Sequence, residues 1–142
     1  MQTINQLLQN KGTHVETVAT NATVYEALAT MAGKGIGALV VLQDGRPVGL
    51  FSERDYARNI ILKGRTSRET LVADAMSSPL MVAHPEQSVE ECMAVMTEKR
   101  VRHLPVIQKD QLVGIVSIGD LVKEIIEDQQ FVIEQLVSYI NG

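Results

Sequence analysis

The chain has 142 residues, 45% of them hydrophobic and 21% charged, enough apolar material for one ordinary domain or two small ones. Thirteen Lys and Arg against seventeen Asp and Glu leave a net charge of −4, the wrong sign for a nucleic-acid footprint, which needs clustered base. No apolar run approaches the ~18–20 residues that cross a bilayer. The first residues lack the basic-then-apolar order of a signal peptide, and the lone Cys92 excludes an internal disulfide or a cysteine-based zinc site. These observations lead us to expect a cytoplasmic protein with neither nucleic acid nor membrane as partner.

Residues 3–10 read as a short lead-in helix. After it, Thr23 caps a helix carrying Val24, Ala27, Leu28 and Met31, with Glu26 three residues on to complete a capping box. In the loop Gly33-Lys34-Gly35-Ile36-Gly37, Gly33 or Gly35 ends that helix. The loop follows a helix, not a strand, so it is neither a dinucleotide fingerprint nor a P-loop. A strand over 38–42, a turn at Asp44-Gly45 and a return strand over 48–51 form a hairpin, and a second helix starts at Ser52.

After a polar linker, Lys63 to Arg68, the same pattern returns 65 residues further on. Residues 69–76 echo the lead-in helix. Ser88 and Glu91 repeat the capping box, and the helix bears Val89, Cys92, Met93 and Met96. The hairpin strands are 103–107 and 113–116 with Lys109-Asp110 at the turn, and a helix starts at Ser117. Between 23–62 and 88–127, 14 of 40 positions are identical, against roughly 6–7% for unrelated sequences of average usage. The chain is an internal duplication, strand-helix-strand-strand-helix twice, of α+β class. Its natural division is 1–66 and 67–142. The last helix runs past its counterpart, with apolar Val132, Ile133, Leu136, Val137 and Ile140; a stripe that outlasts its domain points to self-association.

The strongest local signal is Gly49-Leu50-Phe51-Ser52-Glu53-Arg54-Asp55, repeated as Gly114-Ile115-Val116-Ser117-Ile118-Gly119-Asp120. A strand ends in Ser-x-x-Asp and a helix begins, which presents backbone N–H groups to an anion, a hydroxyl to a phosphate and a carboxylate to a ribose diol. Ser-x-x-Asp also fits a plain helix cap. Lys99, Arg100, Arg102 and His103 form a basic cluster beside a strand start, and Arg54 and Arg58 lie one turn apart beside Ser52. Either group could meet a phosphate or simply face solvent. Catalysis finds no support. Cys92 sits at an apolar helix position, His14, His84 and His103 lack metal-ligand spacing, and neither serine lies in a nucleophile elbow.

The paired strand-end motifs, the 65-residue repeat and Arg102-His103-Leu104-Pro105-Val106-Ile107 together resemble a tandem pair of CBS domains, the Bateman module, in its small stand-alone bacterial form. The resemblance covers about Ile4 to Glu127. It implies two β-α-β-β-α repeats with pseudo-two-fold symmetry plus the extended C-terminal helix. It also implies a regulatory, non-enzymatic sensor of adenosine-containing ligands (AMP, ADP, ATP, NAD or S-adenosylmethionine) held in clefts between the repeats, with no catalytic cofactor or metal.

By the same resemblance the ribose carboxylates are Asp55 and Asp120, and the phosphate-side hydroxyls are Ser52 and Ser117. Lys11, His14, Glu16, Ile36 and Gly37 would complete the Asp120 site. Met76, Pro79, Met81, Val101 and Arg102 would complete the Asp55 site. His103 would serve only the Asp120 site, and Arg54 stands where the second repeat has Gly119, so the two sites should differ in affinity or phosphate preference. A homodimer built with the long helix, and an unidentified regulated protein, are the implied partners. The alternative is a protein-interaction scaffold whose nucleotide clefts are vestigial.

Overall fold

The computed structural model describes residues 2–141, and its first element already departs from chain order. Thr3 caps α1 (Ile4–Lys11) in a full capping box with Gln6. α1 is not attached to the repeat that follows it. Its first amides donate across to the segment before the second repeat, Ile4 N to Gln87 O at 2.8 Å and Asn5 N to Pro85 O at 2.9 Å, while Val89 N returns a bond to Gln2 O at 3.0 Å. The mirror arrangement holds in the other half. There Val24 N donates to Thr70 O and Val72 N to Ala22 O, both at 2.8 Å. Each repeat is thus bound to the segment that precedes the other one.

The compact units follow this crossed stitching. One is Val15–Met81, here the N-repeat unit. The other, the C-repeat unit, joins the residues up to His14 with those from Val82 on. The expected division at 66/67 followed chain order, and these backbone bonds cut the chain elsewhere.

In the N-repeat unit, β1 (Thr17–Ala19) pairs parallel with β2 (Ala38–Gln43), and β2 pairs antiparallel with β3 (Arg46–Ser52). The hairpin turns on Asp44 (φ 51°) and Gly45 (φ 79°), the twist that suits a two-residue connection. α2 (Val24–Lys34) is capped by Thr23 through the Glu26 amide and ends on Gly35 in the left-handed region. α3 (Glu53–Tyr56) continues as a π-helical turn, Ala57–Ile61. Val24, Ala27 and Met31 from α2, Leu39 and Val41 from β2, Phe51, Ile60, Val72 and Ala75 form the core. The expected helix over 69–76 is one 3-10 turn, Val72–Asp74.

The C-repeat unit repeats the plan. α4 (Val89–Lys99) is capped by Ser88, and β4 (His103–Gln108) pairs antiparallel with β5 (Gln111–Ser117). A single parallel bridge from Ala83 to Val106 stands where β1 stood. Lys109 and Asp110 take the turn with positive φ, as the N-repeat hairpin does. α5 (Ile118–Asn141) runs 24 residues. Ile4, Leu7 and Leu8 of α1 are buried together with Val89, Cys92, Met96, Leu104, Val106, Val116 and Leu121. Among the described residues no helix is long and apolar enough to cross a membrane.

Candidate functional site

Both Ser-x-x-Asp motifs sit where a strand hands over to a helix, and both are reciprocal caps. Asp55 N donates to Ser52 Oγ at 3.3 Å and Ser52 N to Asp55 Oδ2 at 2.9 Å. Asp120 N donates to Ser117 Oγ at 3.1 Å and Ser117 N to Asp120 Oδ2 at 2.8 Å. The helix-cap reading of these residues is therefore realised in both repeats. The first amide of each helix is spent on the loop before the neighbouring strand, Glu53 N on Gly37 O at 3.1 Å and Ile118 N on Arg102 O at 2.9 Å. Strand register then sets Ala38 opposite Ser52 and His103 opposite Ser117. Gly37 belongs beside the first motif, and Arg102 and His103 beside the second.

Past the cap the two carboxylates diverge. Asp55 is 7% exposed. Its Oδ2 also accepts from Ser52 Oγ at 3.0 Å, and its Oδ1 accepts from Ser77 Oγ at 2.5 Å. The backbone of Ser77 is locked to the same strand, exchanging N–H···O bonds with Leu50 at 2.8 and 3.1 Å. Among the described residues these donors, the Ser52 amide and the Ser52 and Ser77 hydroxyls, are all neutral. Sequence reasoning missed Ser77. Its counterpart 65 residues earlier is Gly12, so comparing the repeats draws attention away from it.

Asp120 faces a charge. Lys11 Nζ lies 2.6 Å from Asp120 Oδ2 and 2.6 Å from Ile115 O, with the lysine and aspartate side chains 34% and 26% exposed. Among the described residues all donors to this carboxylate converge on Oδ2, which leaves Oδ1 open. Partial burial pushes the Asp120 carboxyl up, but the hydrogen bond and charge of Lys11 and the Ser117 bonds outweigh it and hold the group below its ordinary value. A cavity of about 330 Å³ opens beside the pair between α1 and α5, with Lys123, Glu124 and Glu127 also on its walls. Lys11 was expected on this site's ligand side; it is bonded to Asp120 itself.

The remaining expected residues fall as follows. In the C-repeat unit His14 and Arg102 are exposed, and His103 and Val101 are half-buried. Val101 N closes the end of α4 on Met96 O. In the N-repeat unit Pro79 is exposed, and Glu16, Ile36, Arg54, Met76 and Met81 are half-buried. Glu16 lies 3.9 Å from Lys34, while Ile36 and Met76 pack on the core. Cys92 is buried, and burial, with the Glu91 carboxylate adding to it, raises its thiol to about 11. It is a core residue and not a nucleophile at neutral pH.

A profile of the CBS domain matches residues 12–62 and again 72–127. A solved structure from Burkholderia ambifaria, a CBS-domain protein assigned to signal transduction, superposes with a TM-score of 0.86 at 46% identity, over 90% of this chain and 96% of its own. A curated relative, the mitochondrial CBS domain-containing protein CBSX3 of Arabidopsis thaliana, is 37% identical over 99% of this chain and 72% of its own length. A hexameric CBS-CP12 protein from bloom-forming cyanobacteria superposes with a TM-score of 0.77 at 27% identity, over 86% of this chain and 70% of its own.

Proposed function

The chain belongs to the CBS-domain family, as a tandem pair, and on that premise we propose that it is a regulatory sensor of adenosine-containing nucleotides and not an enzyme. The ligand, AMP, ADP, ATP or NAD, binds at the Ser-x-x-Asp motif of Asp120, and binding changes conformation or assembly. The observation that carries this reading is Asp120, a partly exposed carboxylate with one oxygen open, fixed at the start of a 24-residue helix. A ribose diol needs two acceptor positions on a rigid carboxylate, and the cap with Ser117 supplies that rigidity. The helix N-terminus favours the phosphate that follows the ribose.

Ligand binding transmits a signal only if two states of the protein bind it with different affinity. α5 supplies a second state through assembly. Ile126, Ile133 and Ile140 recur every seven residues on it, with Val122 four residues before the first and Leu136 between the last two, and all five are exposed. That spacing suits a partner helix of the same period, and a second copy of this chain provides one. An acidic substitution such as Ile133→Glu should then lower the mass found by sedimentation equilibrium without lowering nucleotide affinity per chain.

The reading is tested by calorimetric titration of nucleotide-stripped protein with AMP, ATP, NAD and S-adenosylmethionine, repeated on Asp120→Ala. Saturable binding of one ligand that weakens in the variant is the expected result. Absence of binding by all four leaves the motifs as helix caps and favours a protein-docking scaffold built on α5.

A further inference from the structure

The two repeats bridge the same pair of acceptors with different devices. In the N-repeat unit Ser77 spans the strand-end carbonyl of Leu50 with its backbone N–H and Asp55 with its hydroxyl. In the C-repeat unit the equivalent acceptors, Ile115 O and Asp120, are spanned by one ammonium, Lys11 Nζ, at 2.6 Å from each. The first device is neutral and fixed to the backbone. The second is a cation on a flexible four-carbon stem. The residue 65 positions after Lys11 is Met76, so the charge has no counterpart in the repeat.

From this we infer that Lys11 is the specificity-determining residue of the Asp120 motif, admitting a nucleoside that carries an anionic group in preference to the bare nucleoside. The inference rests on the nucleotide reading above and adds the charge that the ligand must bring. A diol entering from the open side gives one hydroxyl to Oδ1 at no cost. Its second hydroxyl competes with the ammonium already at Oδ2. A neutral nucleoside thus weakens an ion pair and returns a weaker neutral-donor bond. With a phosphate present, the ammonium exchanges one anion for another, and its three rotatable donors suit that exchange. Lys123 in the adjoining cavity adds positive charge, and Glu124 and Glu127 on its wall oppose it. Lys11, bonded to the carboxylate itself, dominates the balance.

The test is calorimetry with adenosine and with AMP on the full chain, its Lys11→Met and Lys11→Arg variants, and Asp120→Ala to mark which binding step belongs to this motif. At that step the parent chain should favour AMP over adenosine by about ten-fold or more, the scale of one charge-assisted contact. Lys11→Met should shrink the ratio several-fold, with adenosine binding tighter, and Lys11→Arg should keep it. Methionine occupies the matching place in the N-repeat unit, and Lys11→Gln serves as a second neutral variant should Lys11→Met melt early. An unchanged ratio in a folded neutral variant overturns the inference and leaves the nucleotide reading standing. Failure of the parent chain to bind either ligand overturns the inference, and failure to bind ATP, NAD and S-adenosylmethionine as well overturns the nucleotide reading.

Discussion

Asp55 and Asp120 close the same capping box at the same place in two copies of one repeat, yet one is sealed and the other stays open to exchange. Both oxygens of Asp55 are bonded, to two serines, and the group is nearly inaccessible. Asp120 holds one oxygen in reserve and shares the other with a solvent-accessible ammonium. Duplication thus supplied two identical scaffolds, and the segment packed against each scaffold decided what its carboxylate does. The lesson is that a motif's chemistry lies in its donors as much as in its own residues. Satisfying every acceptor buys rigidity, and leaving one open leaves room for a ligand.

The sharpest way to break this comparison is to remove each carboxylate and measure stability. Asp55→Ala removes a buried carboxylate and leaves the half-buried Ser52 amide and the exposed Ser77 residue's hydroxyl without it, so it should cost about 2 kcal/mol in urea denaturation. Asp120→Ala loses a cap and a half-exposed ion pair and should cost about 1 kcal/mol. The order reverses for nucleotide affinity, where Asp120→Ala should do the greater damage. Equal stability losses would mean that the Ser77 seal contributes nothing.

A second comparison uses the glycines three residues before each motif serine, inside β3 and β5. A Cβ on Gly49 would stand 2.6 Å from Met76 Sδ and 2.9 Å from the Ser77 carbonyl, while a Cβ on Gly114 would meet the Leu8 side chain, its two methyls at 2.8 Å and its Cγ at 3.4 Å. Backbone cannot yield as a leucine tip can. Gly49→Ala should therefore lower stability by about 2 kcal/mol and Gly114→Ala by about 1 kcal/mol or less. Thermal melting of the two variants side by side checks this; a Gly114→Ala loss as large would show that α1 is held as rigidly as the Ser77 segment.

A smaller effect sits at the helix ends. Gly35 and Arg100 terminate α2 and α4 in the same left-handed conformation, φ 66° and 56°, which costs a side-chain-bearing residue about 1 kcal/mol. Arg100→Gly should raise the melting temperature modestly, by the part of that cost that the arginine's own contacts do not offset. A fall in stability would show that those contacts outweigh the strain.

The elements fixed by local rules were legible in the residues. The 65-residue offset, the caps at Thr23 and Ser88, the hairpin turns and the long apolar stripe of α5 follow from periodicity and turn chemistry, and the structure places each where its residues indicated. The Ser-x-x-Asp pairs were legible as motifs, including their alternative as caps. Contacts between distant segments left no signal in the repeat itself, and only the family resemblance set Lys11 at the Asp120 site. Offset comparison matches like with like, so it cannot show that α1 binds the second repeat or that Ser77 and Lys11 bridge equivalent acceptors. One is serine against Gly12, the other lysine against Met76, and a site made by unlike residues leaves no repeat signal.

Acid titration sharpens the comparison at the smallest scale. The Asp120 carboxyl is held below its ordinary value, in part by Lys11, so the pair stabilises the fold above the unfolded carboxyl value of about 3.9. That contribution disappears as the pH falls through the lower folded value and the carboxylate takes up its proton. With both side chains partly in solvent, it amounts to about 0.5 kcal/mol. Lys11→Met should accordingly be less stable than the parent chain by this amount near neutrality, and the two curves should converge at the acid end. The Asp120 carboxyl, followed by NMR, should titrate higher in the variant. A stability gap that persists unchanged into acid would assign the lysine's contribution to the packing of its apolar stem against α5, and the open carboxylate would then owe nothing to its charge.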